Sequence, residues 1–226
     1  MSKLIRSAAK ILTGVVLFVG LPLLGWGVMD ARGFVAHPAR LAYVVVAILL
    51  QLGVVLVFPD VGRDSGEGNQ VVRRQRLAVI LLQLLSLSIV IAAPLSDRWG
   101  LVTLGESPIV RILGLVLFPL GFIAMNWAEA SLGSQFSVQV TLQEGHQLVT
   151  AGPYRYLRHP RYLAIIVFNA GIALIFRSGL ALMLVAALVG VLLWRIHDEE
   201  TLMRQAFGQE WDRYARHSWR LIPFLF

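Results

Sequence analysis

Six uncharged apolar runs, each near the length of a bilayer crossing, leave this chain one class of fold; they occupy residues 11–29, 41–59, 77–96, 112–128, 162–176 and 178–194. About 20 apolar residues carry a helix across the hydrocarbon core. The expectation is an all-α, polytopic integral membrane bundle of about six spans. Composition agrees: 15% of the 226 residues are charged, against about 25% in a soluble domain, and the mean hydropathy is +0.72. The fifth run is short for a free span. It is joined to the sixth only by Arg177 and its neighbours, so the pair reads either as two spans or as a tight helical hairpin. Pro119 and Gly121 interrupt the fourth run. The first follows Lys3, Arg6 and Lys10, a start shared with signal peptides. Its 19 residues are long enough to span and no clear A-x-A site follows, so it reads as a retained first span. No repeat or linker divides the chain, which reads as a single membrane domain over 1–226.

Charge sets the expected orientation. With the N-terminus in the cytoplasm and six spans, 15 of the 20 Lys and Arg fall on the cytoplasmic side. Arg32, Arg40, Arg98, Arg111 and Arg177 fall outside. Positive charge resists translocation, so both termini are expected in the cytoplasm. The net charge of +7 flanks apolar spans and points to membrane topology and anionic lipid headgroups, not to nucleic acid. With no Cys, disulfides, thiolate nucleophiles and thiolate metal sites are excluded.

Two polar clusters then fall on the same side. The first, residues 148–162, reads L-V-T-A-G-P-Y-R-Y-L-R-H-P-R-Y. Gly152-Pro153 breaks any preceding helix, and Pro160 sits where the fifth helix begins. Arg158 and His159 are thereby held at a helix N-terminus, a place for a carboxylate or phosphate; Arg and Tyr at headgroup level also serve as plain interface anchors. The second cluster is R-I-H-D-E-E at 195–200. Glu199 and Glu200 suit a ligand's hydroxyls or amine, or they are a solvated face with Glu200 paired to Arg204. His197 and Glu200 have metal-ligand spacing, but no second such pair exists and no metal site is assigned. Met203, Phe207, Trp211 and Tyr214 recur as one apolar helical face in a polar tail over 195–226, which Gly208 is placed to interrupt. The two clusters are expected to meet and hold one ligand between them.

Smaller signals complete the reading. Asn126 and Asn169 lie inside apolar runs, where polar residues face a bundle interior or cavity. Gln135 and His146 lie in a mixed stretch that either lines an entrance or is solvated loop. No phosphate loop, G-x-S-x-G or H-E-x-x-H occurs.

On these residues the chain resembles the isoprenylcysteine carboxyl methyltransferase family and, more distantly, the phospholipid N-methyltransferases. The resemblance covers roughly 126–223 and leaves 1–110 without a family signature. It runs through S-L-G-S-Q-F-S at 131–137, H-Q-L-V-T-A-G-P-Y-R-Y-L-R-H-P-R-Y at 146–162, Glu199-Glu200, F-G-Q-E-W at 207–211 and R-L-I-P at 220–223. It implies a membrane enzyme that transfers a methyl group from S-adenosylmethionine. The acceptor is then a lipophilic small molecule or a lipidated, prenylcysteine-like carboxylate. It further implies that Gly152, Tyr154, Arg158, His159, Tyr162, Glu199 and Glu200 contact the cofactor, and that Arg195 orients the acceptor's carboxylate. Independently of the resemblance, a thiol or amine acceptor would need deprotonation, with His159 or Glu200 as the base. Met203 stands where Leu is usual and Trp211 where Tyr is usual. Two other readings stay open at this point: a membrane NADPH-dependent reductase, and a non-enzymatic transport or assembly protein.

Overall fold

The computed structural model describes residues 3–57, 70–71, 73–133, 141–142 and 148–225. Gln135, His146 and positions 134–137 of the S-L-G-S-Q-F-S motif lie outside the described residues. The chain is built from α1 (Lys3–Val15), α2 (Leu21–Trp26), α3 (Ala31–Ala36), α4 (Pro38–Val57), α5 (Arg73–Trp99), α6 (Pro108–Leu132), α7 (Pro160–Ile175), α8 (Gly179–Phe207) and α9 (Gln209–Arg216). Gln70–Val71 and Thr141–Leu142 add a two-residue antiparallel pair. The all-α integral membrane architecture is as expected. Five helical segments are long and apolar enough to cross a membrane: Ser7–Trp26, Pro38–Val57, Gln75–Trp99, Pro108–Leu132 and Gly179–Phe207. The remaining apolar helix, α7, has 16 residues and a length of about 24 Å, short of a roughly 30 Å core. Three residues, 176–178, join it to α8.

Several expected boundaries are corrected. Pro119 does not interrupt the fourth run, because α6 passes through it unbroken. The last run does not stop at Trp194: α8 carries on through the whole R-I-H-D-E-E cluster to Phe207. That cluster is therefore the final turns of a spanning helix, and its side chains project at helical spacing. Only Gly208, at φ +51°, ends it, donating its N–H to the Arg204 carbonyl at 2.9 Å.

The segment from α1 to α2 crosses in one piece through a π turn, Val16–Gly20. Pro22 explains the turn, since proline has no N–H to give the carbonyl four residues back. That carbonyl belongs to Phe18, and the Tyr43 hydroxyl from α4 donates to it at 2.7 Å. The defect in one helix thus becomes a tie to another.

The closest pairing is α6 with α7, and glycine permits it. A Cβ on Gly114 would meet the Ile175 nitrogen at 2.4 Å, one on Gly121 the Phe168 nitrogen at 2.4 Å, and one on Gly171 the Phe118 nitrogen at 2.4 Å. Close backbone approach through small residues is how membrane helices associate where lipid removes the hydrophobic drive. Phe18, Tyr43, Phe118, Phe122, Phe168 and Phe176 interlock beside the seam, with ring centroids 5.1–6.2 Å apart.

At the far end of the bundle, Asp97 is enclosed by three arginines. Arg40 Nη1 lies 3.0 Å from Asp97 Oδ2, Arg111 Nη2 2.9 Å from Oδ1 and Arg177 Nη2 2.8 Å from Oδ1. The same guanidiniums donate to the Phe34, Ile175 and Gly105 carbonyls, and Arg177 also pairs with Glu106. Three of the five arginines counted as outside are thus bound into one knot of helix ends.

Candidate active site

The loop before α7 is shaped by its own sequence. Gly152 takes φ +58° and opens a single 3-10 turn, Gly152–Arg155. A side chain there would meet Ser131 Oγ at 2.8 Å. His159 then sits as the N-cap of α7 with Pro160 in the first turn, as the Arg-His-Pro order predicts. The segment after α9 straps this loop down: Arg158 and His159 donate their N–H groups to the Trp219 and Arg220 carbonyls at 2.8 and 3.1 Å, and Trp219 donates to Tyr156 at 3.0 Å. The Tyr214 hydroxyl donates to the Tyr154 carbonyl at 2.7 Å. Burial pushes the Tyr214 phenol up to about 12, so it remains a donor throughout the neutral range. Burial and the nearby Glu199 carboxylate raise Tyr154 as well.

The two polar clusters meet. Arg158 Nε donates to Glu200 Oε1 at 2.8 Å. His159 Nε2 lies 3.4 Å from the same oxygen. Arg220 Nη2 reaches Glu200 Oε2 at 2.5 Å. Both oxygens of Glu200 are therefore occupied by protein. Arg158 also donates to the Ala215 carbonyl at 2.8 Å and to that of Ser218. Glu200 does not pair with Arg204, which lies instead 3.0 Å from Asp212.

One step along the same faces runs a second chain of contacts. The Tyr162 hydroxyl donates to Glu199 Oε2 at 2.5 Å and accepts from Arg195 Nε at 2.7 Å. The His159 and Tyr162 rings stack with centroids 5.4 Å apart and planes 5° from parallel. Arg195 is 4% exposed and His159 4%, so both are enclosed by the fold rather than displayed at a surface. Glu199 Oε1 accepts no hydrogen bond among the described residues.

Of the residues singled out in the sequence, Arg158, His159, Tyr162, Arg195, Glu199 and Glu200 come together in these two linked chains. Gly152 and Tyr154 sit beside them in the 3-10 turn, where Gly152 approaches the end of α6 and Tyr154 lies under Tyr214. His197 is exposed and apart, and no group of three or more potential metal ligands occurs among the described residues. Sequence reasoning missed Arg220, which closes on Glu200 from the R-L-I-P segment, and Gln75, whose Nε2 donates to Asp198 at 2.9 Å. Gln75 has no local signal, and the R-L-I-P motif that Arg220 opens does not name its partner, because each partner lies on another element.

Next to Tyr162 and Arg195 opens a cavity of about 550 Å³ running between the α1–α2 crossing, α5 and α7. Its wall is mostly apolar, including Leu17, Leu82 and Phe168; Arg161, Tyr162 and Arg195 line it too. A membrane-depth apolar cavity thus reaches the polar network.

Residues 112–205 match the model of the isoprenylcysteine carboxyl methyltransferase (ICMT) family. That stretch holds α7, most of α8 and every site residue named from the sequence. A probable protein-S-isoprenylcysteine O-methyltransferase of Oryza sativa subsp. indica is 26% identical over 165 residues, which is 70% of this chain and 84% of that protein. The protein-S-isoprenylcysteine O-methyltransferase of Dictyostelium discoideum is 30% identical over 118 residues, 49% of this chain and 48% of that protein. A solved structure of the eukaryotic intramembrane Ras methyltransferase ICMT superposes with a TM-score of 0.54 at 21% identity, covering 97% of this chain and 75% of that one. The resemblance seen in the motifs is borne out, and the fold is that of the ICMT structure.

Proposed function

We propose that this protein is an S-adenosylmethionine-dependent methyltransferase of the membrane that acts on a lipophilic acceptor bearing a carboxylate. The observation that carries the reading is the apolar cavity lined at once by Arg195 and Tyr162, beside the acids of α8. Relatives named as isoprenylcysteine O-methyltransferases and a matching family model support the reaction class.

The residues fit the cofactor by their chemistry. Glu199 keeps one carboxylate oxygen without a donor among the described residues, and a carboxylate suits a ribose diol, an amine or the positive charge of a sulfonium. Tyr162 presents an aromatic face, which attracts cations. Gly152, Tyr154 and the His159 end of α7 would complete the holding set, on a loop that Arg158 and Glu200 fix in place. When bound, S-adenosylmethionine supplies an electrophilic methyl group. The chain's own task is then alignment and exclusion of water. Arg195 pairs with the acceptor's carboxylate, since guanidinium and carboxylate match as a fork. Tyr162 holds Arg195 in place through its Nε. A carboxylate acceptor needs no general base. Glu200, with both oxygens tied to Arg158, His159 and Arg220, is assigned to fixing the loop against α8, not to proton abstraction. Both termini and the site are assigned to the cytoplasmic side, because the Lys/Arg bias favours it.

Calorimetric titration of S-adenosylhomocysteine into detergent-purified protein tests the reading, beside Glu199→Gln, His159→Ala and Glu200→Ala and with NADPH as the competing ligand. Saturable binding that Glu199→Gln weakens about tenfold, with the variant still folded, is expected. Binding of NADPH in place of S-adenosylhomocysteine overturns it.

A further inference from the structure

Besides Arg161, Tyr162 and Arg195, three uncharged polar side chains line the apolar cavity: Gln83 and Ser86 on α5 and Asn169 on α7. Gln83 and Ser86, three residues apart, share a helical face. Gln83 is ten residues beyond the start of α5 and Asn169 nine beyond the start of α7, so at 1.5 Å per residue both sit about 14–15 Å along their helices. That is about half the depth of a hydrocarbon core. Asn169 is 2% exposed. Its Nδ2 donates to the Ile165 carbonyl at 2.8 Å, while its Oδ1 is buried without a hydrogen-bond partner among the described residues. Gln83 and Ser86 likewise make no side-chain hydrogen bond among the described residues. An unsatisfied polar group away from water costs about 1–3 kcal/mol, and polar residues at this depth mark substrate paths. A cavity for unbroken hydrocarbon would be lined more cheaply at these positions by Leu or Val, as at Leu17, Leu21, Val79, Leu82 and Val90.

We propose that the acceptor is not a plain hydrocarbon chain but carries a hydrogen-bonding group, a hydroxyl or an amide N–H, part way along its lipophilic body, read by Asn169 together with Gln83 and Ser86. The inference rests on the methyltransferase reading only for calling the ligand an acceptor; the cavity and its polar belt stand without it. Asn169 is seven residues beyond Tyr162, about 10 Å along α7. The bound molecule therefore places its carboxylate at Arg195 and its donor about 10 Å deeper. Presenting Oδ1 to the ligand requires the amide to turn about χ2, a broad torsion in Asn, and to exchange the Ile165 bond for one to the ligand; Gln83 and Ser86 line the cavity from α5.

The test uses the full chain in detergent and a matched pair of probes, stearate and 10-hydroxystearate, titrated by calorimetry with S-adenosylhomocysteine titrated in parallel. Wild-type protein is expected to bind the hydroxy acid about tenfold more tightly than stearate, the worth of one hydrogen bond. Asn169→Leu is expected to bring the ratio near one, chiefly by tightening stearate, and to leave S-adenosylhomocysteine binding unchanged. Equal affinities in the wild type, as a cavity served by water alone would give, overturn the proposal, as does a ratio that survives Asn169→Leu. Should Asn169→Leu fail to fold, Gln83→Leu and Ser86→Ala take its place, and a ratio unmoved in both overturns it. Loss of S-adenosylhomocysteine binding with the lipid preference intact would strike the methyltransferase reading and not this one.

Discussion

Tyr162 does two jobs with one oxygen: it donates to Glu199 and accepts from Arg195. Phenylalanine keeps the ring stacked on His159 but removes both bonds. A hydrogen bond to a charged group is worth about 1.5–3 kcal/mol, so Tyr162→Phe is expected to lower kcat/KM for a carboxylate acceptor about ten- to a hundredfold. The loss should appear mainly in KM, with the thermal midpoint little changed; an unchanged KM would mean that Arg195 is oriented by something else. His37 supplies a second effect at this scale. Its Nδ1 accepts the Ala39 N–H at 3.1 Å, capping α4, and desolvation with the nearby Arg111 and Arg40 lowers its pKa below 6.5. The folded protein therefore binds fewer protons than the unfolded chain in that window. Stability is full above about pH 6.5 and is lost as pH falls through the folded pKa. Thermal midpoints in detergent at pH 7.5 and pH 5 should differ for the wild type, and the difference should shrink in His37→Asn, which caps without titrating.

Helices here are held together by repaired defects and missing side chains more than by apolar bulk. Pro22 strips the Phe18 carbonyl of its helical donor and Tyr43 restores it. Tyr43→Phe should therefore cost about 1–3 kcal/mol, far more than loss of one oxygen from a solvated tyrosine, and thermal unfolding in detergent checks it. At this scale the sequence was readable where one local property decided the outcome. Long uncharged runs gave the spans, and Gly-Pro followed by His-Pro gave the turn and the start of α7. It was misleading where a local rule met a tertiary one. The acidic cluster suggested a tail leaving the membrane, yet Glu199 and Glu200 extend α8 because their partners Tyr162, Arg158 and Arg220 lie on other elements. Pro119 suggested a break, yet the tight α6–α7 seam keeps α6 whole.

At the scale of the whole molecule, an enclosed ionic network lies toward each end of the bundle. The Asp97 knot joins α4, α5, α6 and the turn between α7 and α8; the Glu200 network joins the loop before α7, α8 and the segment after α9. Removing one partner from a buried ionic cluster leaves uncompensated charge and costs about 3–5 kcal/mol. Asp97→Asn is accordingly expected to sharply reduce the yield of folded protein. Glu106→Gln should be mild, because the Glu106 side chain is 87% exposed; size-exclusion profiles of the two variants make the comparison. The pairing of Arg40, Arg111 and Arg177 with Asp97 also gives a carboxylate partner to three of the cations that stood against the charge bias in the sequence.

The strap formed by Trp219 and Arg220 has a consequence for how the protein comes into being. Every described helix precedes it in the chain, so the described spans can be in place and the cavity walled while Arg158 and His159 still lack their Trp219 and Arg220 backbone partners and Glu200 still lacks Arg220. A chain cut between α9 and Trp219 is accordingly expected to keep its membrane helices but to bind S-adenosylhomocysteine more weakly than the full chain, because nothing then holds the 152–159 loop against Glu200.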